Sequence, residues 1–400
     1  MARIALAWEY GASFGHAAAI ARLGEALRQR GHTVALILRE LRPLQNLPEA
    51  RALTVFQAPS WTTDAPAYTP RSFAEVMAGA GYRDGITLAG LLGAWRALYA
   101  GWKPDLVIAD FAPTALLAAR AMGIRRATFG NGFFTPPRGR PMPPFRTDIP
   151  GQEQHLASSE DFVLRAVNGA LEHLGFAPLE YLAQQFEADE DFLCTFPELD
   201  HYGPRPNAGY WGPRLSIDRG RLTDWPEGRG KRVLVYLPAA QPSLDELFRQ
   251  LRSRGAEVVA YIPRLDAARR AAFASPHIRM SEGPVRLDRL LPRCELMVSL
   301  GGDIGPGTLA FGIPQLLFPQ QFEQHITGHR VEALGAGLAV RGPGVQIAQN
   351  APADVAQPLE RVLTQPGFTL AARAFRARYP AWSPSEQLRR VVLRADELVR

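Results

Sequence analysis

A histidine follows a glycine-rich turn close to the amino terminus. The turn contains Gly11 and Gly15, and it lies between a short apolar run and an amphipathic stretch. At the start of a helix the positive end of the dipole disfavours imidazolium, so the His16 ring stays neutral and can accept a proton. A histidine that merely caps the helix is the alternative. The position of the turn after a strand favours a general base.

A carboxylate ends a second apolar run. Asp110 closes the run Asp105–Asp110, which has the pattern of a buried parallel strand. At the carboxyl end of such a strand, Asp110 would orient an imidazole and stabilise its protonated form. An equally good explanation is that Asp110 caps the helix that follows. Residues 11–15 also match a hydrolase nucleophile elbow around Ser13. We reject that match because it follows the first strand and has His16 too near in the chain to be the distant base.

Four glycines follow a later apolar run, between Ser299 and Thr308. They are Gly301, Gly302, Gly305 and Gly307. Glycines let backbone N–H groups approach an anion closely, and the helix that follows adds its dipole. The turn is neither a Walker loop nor an ordered dinucleotide fingerprint. It therefore predicts a diphosphate site, with Thr308 as a further contact, over a merely structural turn.

Two other polar clusters differ in what they predict. Glu323 and Gln324 place a carboxylate beside an amide after another strand, which suits bidentate hydrogen bonding to sugar hydroxyls. Acidity at a helix N-terminus is the alternative. Residues 189–191, Asp-Glu-Asp, superficially fit a metal motif of other transferases. They precede a strand and have no further ligands near them in the chain, so they predict a solvated loop and no metal site.

The elements that position these residues alternate between strand and helix. This alternation through the first 130 residues predicts a parallel sheet, and a second series begins at Lys231. Prolines between residues 131 and 150 mark a long loop beside Phe133 and Phe134. We predict an N-terminal domain 1–205, a linker 206–230, a C-terminal domain 231–375 and a terminal helix 376–400, which is free to pack back on the first domain. Ligands bind at the carboxyl ends of such sheets.

Composition agrees with this division. The chain has 400 residues, 46% apolar and 21% charged, which is enough for two cores. No apolar run approaches the ~18–20 residues of a membrane-spanning helix. Cys194 and Cys294 are too few for a disulfide scaffold. A cytoplasmic protein is the simplest interpretation.

The net charge of +6 is concentrated near the carboxyl terminus. Residues 361–400 hold eight arginines against three acidic residues. No basic run alternates with aromatic residues, so nucleic-acid binding is discounted. A basic patch for an anionic substrate, or a peripheral contact with anionic lipid, stays open, although a solvated helix face explains these charges well.

The ordered motifs resemble those of the GT-B glycosyltransferases, specifically the family 1 type and its bacterial relatives. Gly15-His16 followed by residues 30–34, Arg-Gly-His-Thr-Val, resembles their "GH … RGHxV" opening. The series from Gly312-Ile313-Pro314 through Glu323-Gln324 to residues 334–337, Leu-Gly-Ala-Gly, resembles their donor signature. Trp8-Glu9 and residues 197–202, Pro-Glu-Leu-Asp-His-Tyr, resemble a bacterial branch. The resemblance spans both halves of the chain.

The resemblance implies an α/β protein with two Rossmann-like domains that face each other across a cleft. It implies inverting transfer of a hexose from a UDP- or dTDP-sugar to a hydroxyl, with no metal or other cofactor. His16 would remove the acceptor proton, and Asp110 would support the imidazolium. The glycine turn would hold the diphosphate, Glu323 and Gln324 the sugar, and Val285 and Arg286 the nucleobase. A set of aromatic residues predicts a hydrophobic or lipid-like acceptor: Trp8, Tyr10, Phe14, Phe133 and Phe134.

One departure from the family pattern keeps two alternatives open. Leu300, or Ser299 if the register is shifted by one residue, stands where the family usually has a phosphate-contacting histidine. A leucine cannot donate a hydrogen bond, so phosphate binding would depend on backbone N–H groups. A non-catalytic protein of this fold that binds a ligand or partner is one alternative, and a sugar-nucleotide epimerase is the other. The sequence predicts no oligomeric state.

Overall fold

The computed structural model describes residues 1–11, 14–61, 69–341 and 354–400, and Ser13 lies outside these ranges. The chain divides into two compact units. The first unit comprises residues 1–197, 202–211 and 385–400, and the second comprises residues 198–201 and 212–384. Each unit contains one six-stranded sheet.

The first sheet is parallel throughout, with the strand order β3-β2-β1-β4-β5-β6. Its strands are β1 Arg3–Trp8, β2 Thr33–Leu38, β3 Thr54–Gln57, β4 Leu106–Asp110, β5 Arg125–Gly130 and β6 Glu190–Leu193. The helices associated with it are α1 Phe14–Gln29, α2 Phe73–Ala78, α3 Gly85–Trp102, α4 Pro113–Ala121 and α5 Glu153–His173. Strand β4 is buried along its whole length, as expected for a sheet covered on both faces.

The second sheet is also parallel, with the strand order β12-β11-β10-β7-β8-β9. Its strands are β7 Arg232–Tyr236, β8 Glu257–Tyr261, β9 Ile278–Ser281, β10 Leu296–Ser299, β11 Gln315–Leu317 and β12 Gly337–Ala339. The helices that follow along the chain are α6 Leu244–Ser253, α7 Ala267–Phe273, α8 Leu287–Leu290, α9 Ile304–Leu309, α10 Phe322–Ala333, α11 Ala356–Thr364, α12 Pro366–Arg378 and α13 Pro384–Leu398. The predicted α/β class with two parallel sheets is confirmed.

Helix α13 belongs to the first unit, although it ends the chain. Its apolar face, with Val391, Val392 and Ala395, lies in the same core cluster as strand β1. Asp396 on the same helix accepts hydrogen bonds from Arg30 and pairs with His32. Apolar burial and a buried ion-pair group therefore both fasten α13 to the first unit.

The segment predicted as a linker is divided between the units. The first unit includes the chain up to Trp211, and the second begins at Gly212. Leu215 and Trp225 are buried in a core cluster of the second unit. Residues 212–230 therefore belong structurally to the second unit, and two of their apolar side chains, Leu215 and Trp225, are part of its core.

Residues 189–191 are not a solvated loop, which corrects the sequence-based expectation. Glu190 and Asp191 lie in strand β6. Asp191 pairs with Arg138, and Glu190 pairs with Arg394. These carboxylates are engaged in structural ion pairs. Within the described ranges, none of the helices is both long and apolar enough to cross a membrane.

Candidate functional site

Two loops meet at the carboxyl edge of the first sheet. Trp8 and Asp110 are register partners at the ends of the adjacent parallel strands β1 and β4. Beyond the strands, the N–H of Tyr10 donates to the carbonyl of Phe111 at 2.9 Å. The β1–α1 loop and the β4–α4 loop are therefore joined directly, at the edge of the sheet where ligands bind in such folds.

His16 and Asp110 come together across these loops. The Nδ1 atom of His16 lies 3.0 Å from Oδ2 of Asp110, and both residues are buried. A carboxylate only accepts, so Nδ1 carries the proton and Nε2 is left as the basic nitrogen. This is the arrangement in which an aspartate orients a histidine and stabilises its imidazolium form. His16 is the third residue of α1, and its side chain contacts Asp110 instead of capping the helix.

Aromatic rings and a glycine hold the imidazole in place. Trp8 stacks on His16 with a centroid distance of 5.4 Å, and Phe134 lies 5.0 Å away at a tilt. Gly11 has a φ of +76°, and a Cβ at this position would lie 3.3 Å from Nε2 of His16. A glycine is therefore required both for the turn and for open space beside the basic nitrogen.

Glu9 lies close to the histidine and the aspartate, and the sequence pattern indicated no role for it. Helix α4 begins after Ala112, which has no side chain to cap it, and Oε2 of Glu9 accepts from the N–H groups of Thr114 at 2.8 Å and Ala115 at 3.4 Å. The N-terminus of α4 is thus capped at these two N–H groups by Glu9 and not by Asp110. Asp110 contacts His16 instead. Complete burial raises the pKa of Glu9 from its ordinary 4.5 to about 7.

The aromatic residues predicted to bind the acceptor differ in their exposure. Trp8, Tyr10 and Phe133 are buried, whereas Phe14 and Phe134 are half-buried. The Tyr10 hydroxyl donates to the carbonyl of Ala80 at 2.8 Å. Of the three buried residues, Trp8 contacts the histidine directly, and Phe14 and Phe134 keep exposed area for a ligand.

A cavity of about 740 Å³ also opens in the first unit, beside α2 and α5. Its lining combines basic, acidic and apolar groups, among them Arg71, Arg83, Arg146, His155, Glu75, Ile149 and Phe162. The cavity adjoins the aromatic residues, since the N–H of Phe145 donates to the Arg71 carbonyl and the Phe145 ring stacks on Phe133 at 4.6 Å. Its volume is in the range that binds small organic molecules.

In the second unit, the glycines after strand β10 have different structural roles. Gly301 has a φ of +95°, and its N–H donates to Oγ of Ser299 at 3.2 Å. A Cβ on Gly307 would approach Leu215 at 3.0 Å, and one on Gly305 would find its nearest atoms at 3.7 Å. A Cβ on Gly302 would meet no atom within 4 Å among the described residues. Gly301 is therefore needed for backbone conformation, Gly307 for packing, and Gly302 faces open space.

Thr308 does not fit its predicted role as a phosphate contact. Its hydroxyl donates within helix α9, to the carbonyls of Ile304 at 2.8 Å and Gly305 at 3.1 Å, and it accepts from Gln315 at 3.2 Å. The residue is fully buried. Its one proton is committed to the helix backbone, so a phosphate would depend on other donors.

Arg214 lies at the same turn, although the sequence placed it in a linker. Its Nε and Nη2 atoms lie 3.0 and 2.8 Å from Oδ2 of Asp303, and its side chain is buried. Asp303 precedes α9 directly, and Leu215 packs on Gly307. Leu300, which replaces the family's histidine, packs against the core of this unit. No local spacing signals the Arg214 contact, because 89 residues separate the partners.

The predicted sugar-binding pair begins helix α10. The Oε1 atom of Gln324 accepts from the N–H groups of Gln320 at 2.9 Å and Gln321 at 3.2 Å, which is part of a capping box. This fixes the amide so that its oxygen faces the backbone and its NH₂ group is directed away from it. Glu323 lies on the same turn and is also buried.

The predicted nucleobase residues lie on a loop held by the segment before strand β7. Arg221 and Val285 form an isolated parallel bridge, in which Arg221 bonds to Pro284 and Arg286. The Val285 side chain is buried in the core, so only its backbone is available to a base. The Arg286 guanidinium pairs with Asp288, and this hydrogen bond raises the pKa of Arg286.

Comparisons with known proteins agree with this architecture. Residues 245–392 match the family of the erythromycin biosynthesis protein CIII-like C-terminal domain. The chain is 30% identical over 141 residues to the elloramycin glycosyltransferase ElmGT of Streptomyces olivaceus, covering 31% of this chain and only 33% of that protein. It is 27% identical over 346 residues to the L-demethylnoviosyl transferase of Streptomyces niveus, covering 82% of each.

A solved structure extends the likeness to the whole fold. The spinosyn rhamnosyltransferase SpnG has a TM-score of 0.66 at 18% identity, covering 98% of this chain and 100% of that one. At this identity the likeness shows the fold alone. SpnG has also been solved with thymidine diphosphate and with the spinosyn aglycone. The chain therefore has the fold of a GT-B glycosyltransferase, and its sequence is similar to those of the matched family and the curated glycosyltransferases.

Proposed function

We propose that this protein transfers a hexose from a dTDP- or UDP-sugar to a hydroxyl of a small acceptor, with inversion and without a metal ion. The observation that carries the proposal is the buried contact of 3.0 Å between His16 and Asp110 at the carboxyl edge of the first sheet. This contact provides an oriented general base where the fold binds ligands. The thymidine diphosphate bound by SpnG favours dTDP as the nucleotide.

The proposed reaction is a single displacement. Nε2 of His16 takes the proton of the acceptor hydroxyl as its oxygen attacks the anomeric carbon of the sugar. The bond from that carbon to the diphosphate oxygen breaks, and the nucleoside diphosphate leaves with the electron pair. Asp110 stabilises the imidazolium that forms. Attack opposite the leaving group inverts the anomeric configuration.

We propose that the diphosphate lies along the glycine turn, where Gly302 faces open space. Backbone N–H groups would bind the phosphate oxygens. The buried Arg214 guanidinium, paired with Asp303, would hold the residue that precedes α9 and so fix the backbone N–H groups of the turn. Glu323 and the NH₂ group of Gln324 would bind sugar hydroxyls, and the backbone at Val285 would contact the nucleobase.

For the acceptor we propose an aglycone of the kind that a natural-product glycosyltransferase uses, as the spinosyn aglycone bound by SpnG suggests. The half-buried Phe14 and Phe134 would contact it near the histidine. The cavity beside α5 would take its bulk. Because charged and apolar side chains share that lining, the acceptor should combine an apolar body with oxygen-rich polar groups.

Nucleotide binding is the first test. Purified protein is titrated with dTDP, UDP, GDP and ADP while thermal stability is followed, with and without EDTA. A nucleotide at 100 times its dissociation constant stabilises a protein by about 2.7 kcal/mol, which is easily resolved. We expect a shift with dTDP or UDP that EDTA does not change. Gly302→Phe should abolish the shift and still fold, because its side chain projects into open space.

Catalysis is the second test. His16→Ala should abolish transfer to a panel of aglycones while nucleotide binding is kept. Retained transfer would remove His16 from the mechanism. Conversion of the nucleotide sugar to another sugar nucleotide in the absence of any acceptor would point to an epimerase. No shift with any nucleotide at millimolar concentration would favour a non-catalytic binding protein, the alternative that Leu300 raises.

A further inference from the structure

Four residues in the middle of the chain belong to the second unit, although the residues on either side belong to the first. They are residues 198–201, Glu-Leu-Asp-His, within the Pro-Glu-Leu-Asp-His-Tyr motif. The mechanism proposed above gives this motif no role. Leu199, Asp200 and His201 are buried. Burial of so polar a segment requires specific partners within the second unit.

The first of these residues is fastened to the end of α12. The Oε1 atom of Glu198 lies 2.8 Å from Nη1 of Arg378, and the Tyr379 hydroxyl donates to Oε2. Burial raises the pKa of Glu198, but the hydrogen bonds from Tyr379 and Arg378 outweigh it and leave the pKa below its usual value. Glu198 therefore stays ionised and anchors the segment.

The last of these residues faces the first two turns of α10. Nε2 of His201 lies 3.2 Å from Oγ1 of Thr327 and 3.5 Å from Oε1 of Glu323. The Thr327 hydroxyl donates to the Glu323 carbonyl at 3.3 Å, so its oxygen is left to accept from His201. In this arrangement Nε2 carries a proton, and its N–H group points between two acceptors, the threonine hydroxyl and the glutamate carboxylate.

We infer that His201 is a positioning residue that holds the Glu323 carboxylate in the orientation that binds the donor sugar. The inference rests on the proposed function, in which Glu323 binds sugar hydroxyls. A glutamate on a helix otherwise samples several rotamers, and ordering it on binding costs affinity. His201 orders it beforehand and attracts its charge, so its effect should fall on the sugar and not on the nucleotide.

The test compares a donor with its nucleotide alone. Dissociation constants of dTDP-glucose, UDP-glucose, dTDP and UDP are measured by calorimetry for the wild type and for His201→Ala. We expect His201→Ala to weaken binding of the sugar nucleotide about tenfold and to change binding of the nucleoside diphosphate less than twofold. His201→Gln places an N–H donor near the position of Nε2, so it should restore most of the affinity.

A matched variant separates positioning from general destabilisation. His32 is also a histidine paired with a carboxylate, with its half-buried ring 2.5 Å from Asp396, and it lies in the first unit. We expect His32→Ala to lower thermal stability without changing the ratio of the two dissociation constants. If His201→Ala does not fold, the comparison uses His201→Gln and His201→Asn, in which only the glutamine reaches the Nε2 position.

A double-mutant cycle decides whether the effect passes through Glu323. In the Glu323→Gln background the removal of His201 should have little further effect, because residues that act through one contact are not additive. Equal weakening of sugar nucleotide and nucleotide, or full additivity with Glu323→Gln, would overturn the inference. A wild type that binds neither nucleotide would overturn the proposed function and the inference with it.

Discussion

At the residue scale, the proposed chemistry depends on how Asp110 holds His16. Oδ2 of the aspartate accepts a hydrogen bond from Nδ1 of the histidine at an N···O distance of 3.0 Å, and both side chains are buried. In a low-dielectric environment such a contact fixes the tautomer and makes the imidazolium less costly to form. The histidine alone would have neither property.

Asp110→Asn tests this arrangement directly. An amide can donate to Nδ1 and favour the wrong tautomer, so kcat should fall by about 10³–10⁴-fold, the order seen when the aspartate of a serine-protease triad is changed in this way. The dissociation constant of dTDP should not change, because the aspartate lies in the first unit. Steady-state kinetics and calorimetry check both outcomes. A kcat within tenfold of the wild type would contradict the assignment.

Glu9 predicts a pH dependence of stability. Its folded pKa of about 7 lies above the ordinary value of 4.5, so the folded state holds the proton more tightly than the unfolded chain. The stabilisation from this proton is fully present below pH 4.5 and is lost as the pH rises through 7. The loss amounts to about 3 kcal/mol.

Glu9→Gln should remove this part of the pH dependence, because glutamine keeps the acceptor oxygen for Thr114 and does not ionise. Urea unfolding between pH 5 and 8 measures it. The difference in stability between variant and wild type should grow in favour of the variant as the pH rises, by about 3 kcal/mol. A constant difference across this range would show that Glu9 does not titrate there.

At the scale of elements, the glycine turn after β10 combines a required conformation with an open surface. Gly301→Ala forces a side chain into a φ of +95°, which should cost about 1–3 kcal/mol of stability and distort the turn. We expect nucleotide binding to weaken at least tenfold. Gly302→Ala is the matched control, since its Cβ has free space and its φ is not positive. Equal effects of the two variants in calorimetry would contradict this division of roles.

Helix α13 is the second element with a clear prediction. Val391 is fully buried in the core of the first unit. Val391→Ala removes two methyl groups and leaves a cavity, which should cost about 2–3 kcal/mol. Denaturant unfolding measures the loss. The exposed Leu393 on the same helix gives the control, Leu393→Ala, which should cost much less.

At the scale of the whole molecule, the proposed reaction gives the two units separate tasks. The proposed base and the proposed acceptor cavity lie in the first unit, and the glycine turn and the proposed sugar-binding pair lie in the second. Substitutions in one unit should therefore affect one substrate. This division is useful experimentally, because binding of the nucleotide can be measured without an acceptor.

The acceptor cavity gives a prediction at this scale. Ser158→Trp places a large ring in the lining of the cavity, so the KM for the acceptor should rise about tenfold, while the dissociation constant of dTDP stays the same. Ala157→Trp is the control, because Ala157 is a neighbouring exposed residue of α5 outside the lining. An unchanged KM in the Ser158 variant would place the acceptor elsewhere.

Several elements were not predicted from the sequence, for physical reasons. Helix α3 buries Leu88, Leu92 and Trp95 and is apolar on most sides, so it lacks the one-sided pattern of a surface helix. Strand β3 is an edge strand whose residues are partly exposed, and its short run has no strong alternation. The exposure of the aromatic residues near His16 was not predicted, because residue type alone does not distinguish a buried ring from one with area left for a ligand.

The sequence by itself determined the α/β class, most of the strand positions and the two loops that carry His16 and Asp110. Those features follow from apolar runs, glycine turns and helical spacing, which act between neighbours in the chain. The tertiary structure alone decided that Glu9 caps α4, that Arg214 reaches Asp303 and that His201 reaches Glu323. These partners are about 90 to 120 residues apart, and local physical chemistry carries no information on contacts formed only when the sheets assemble.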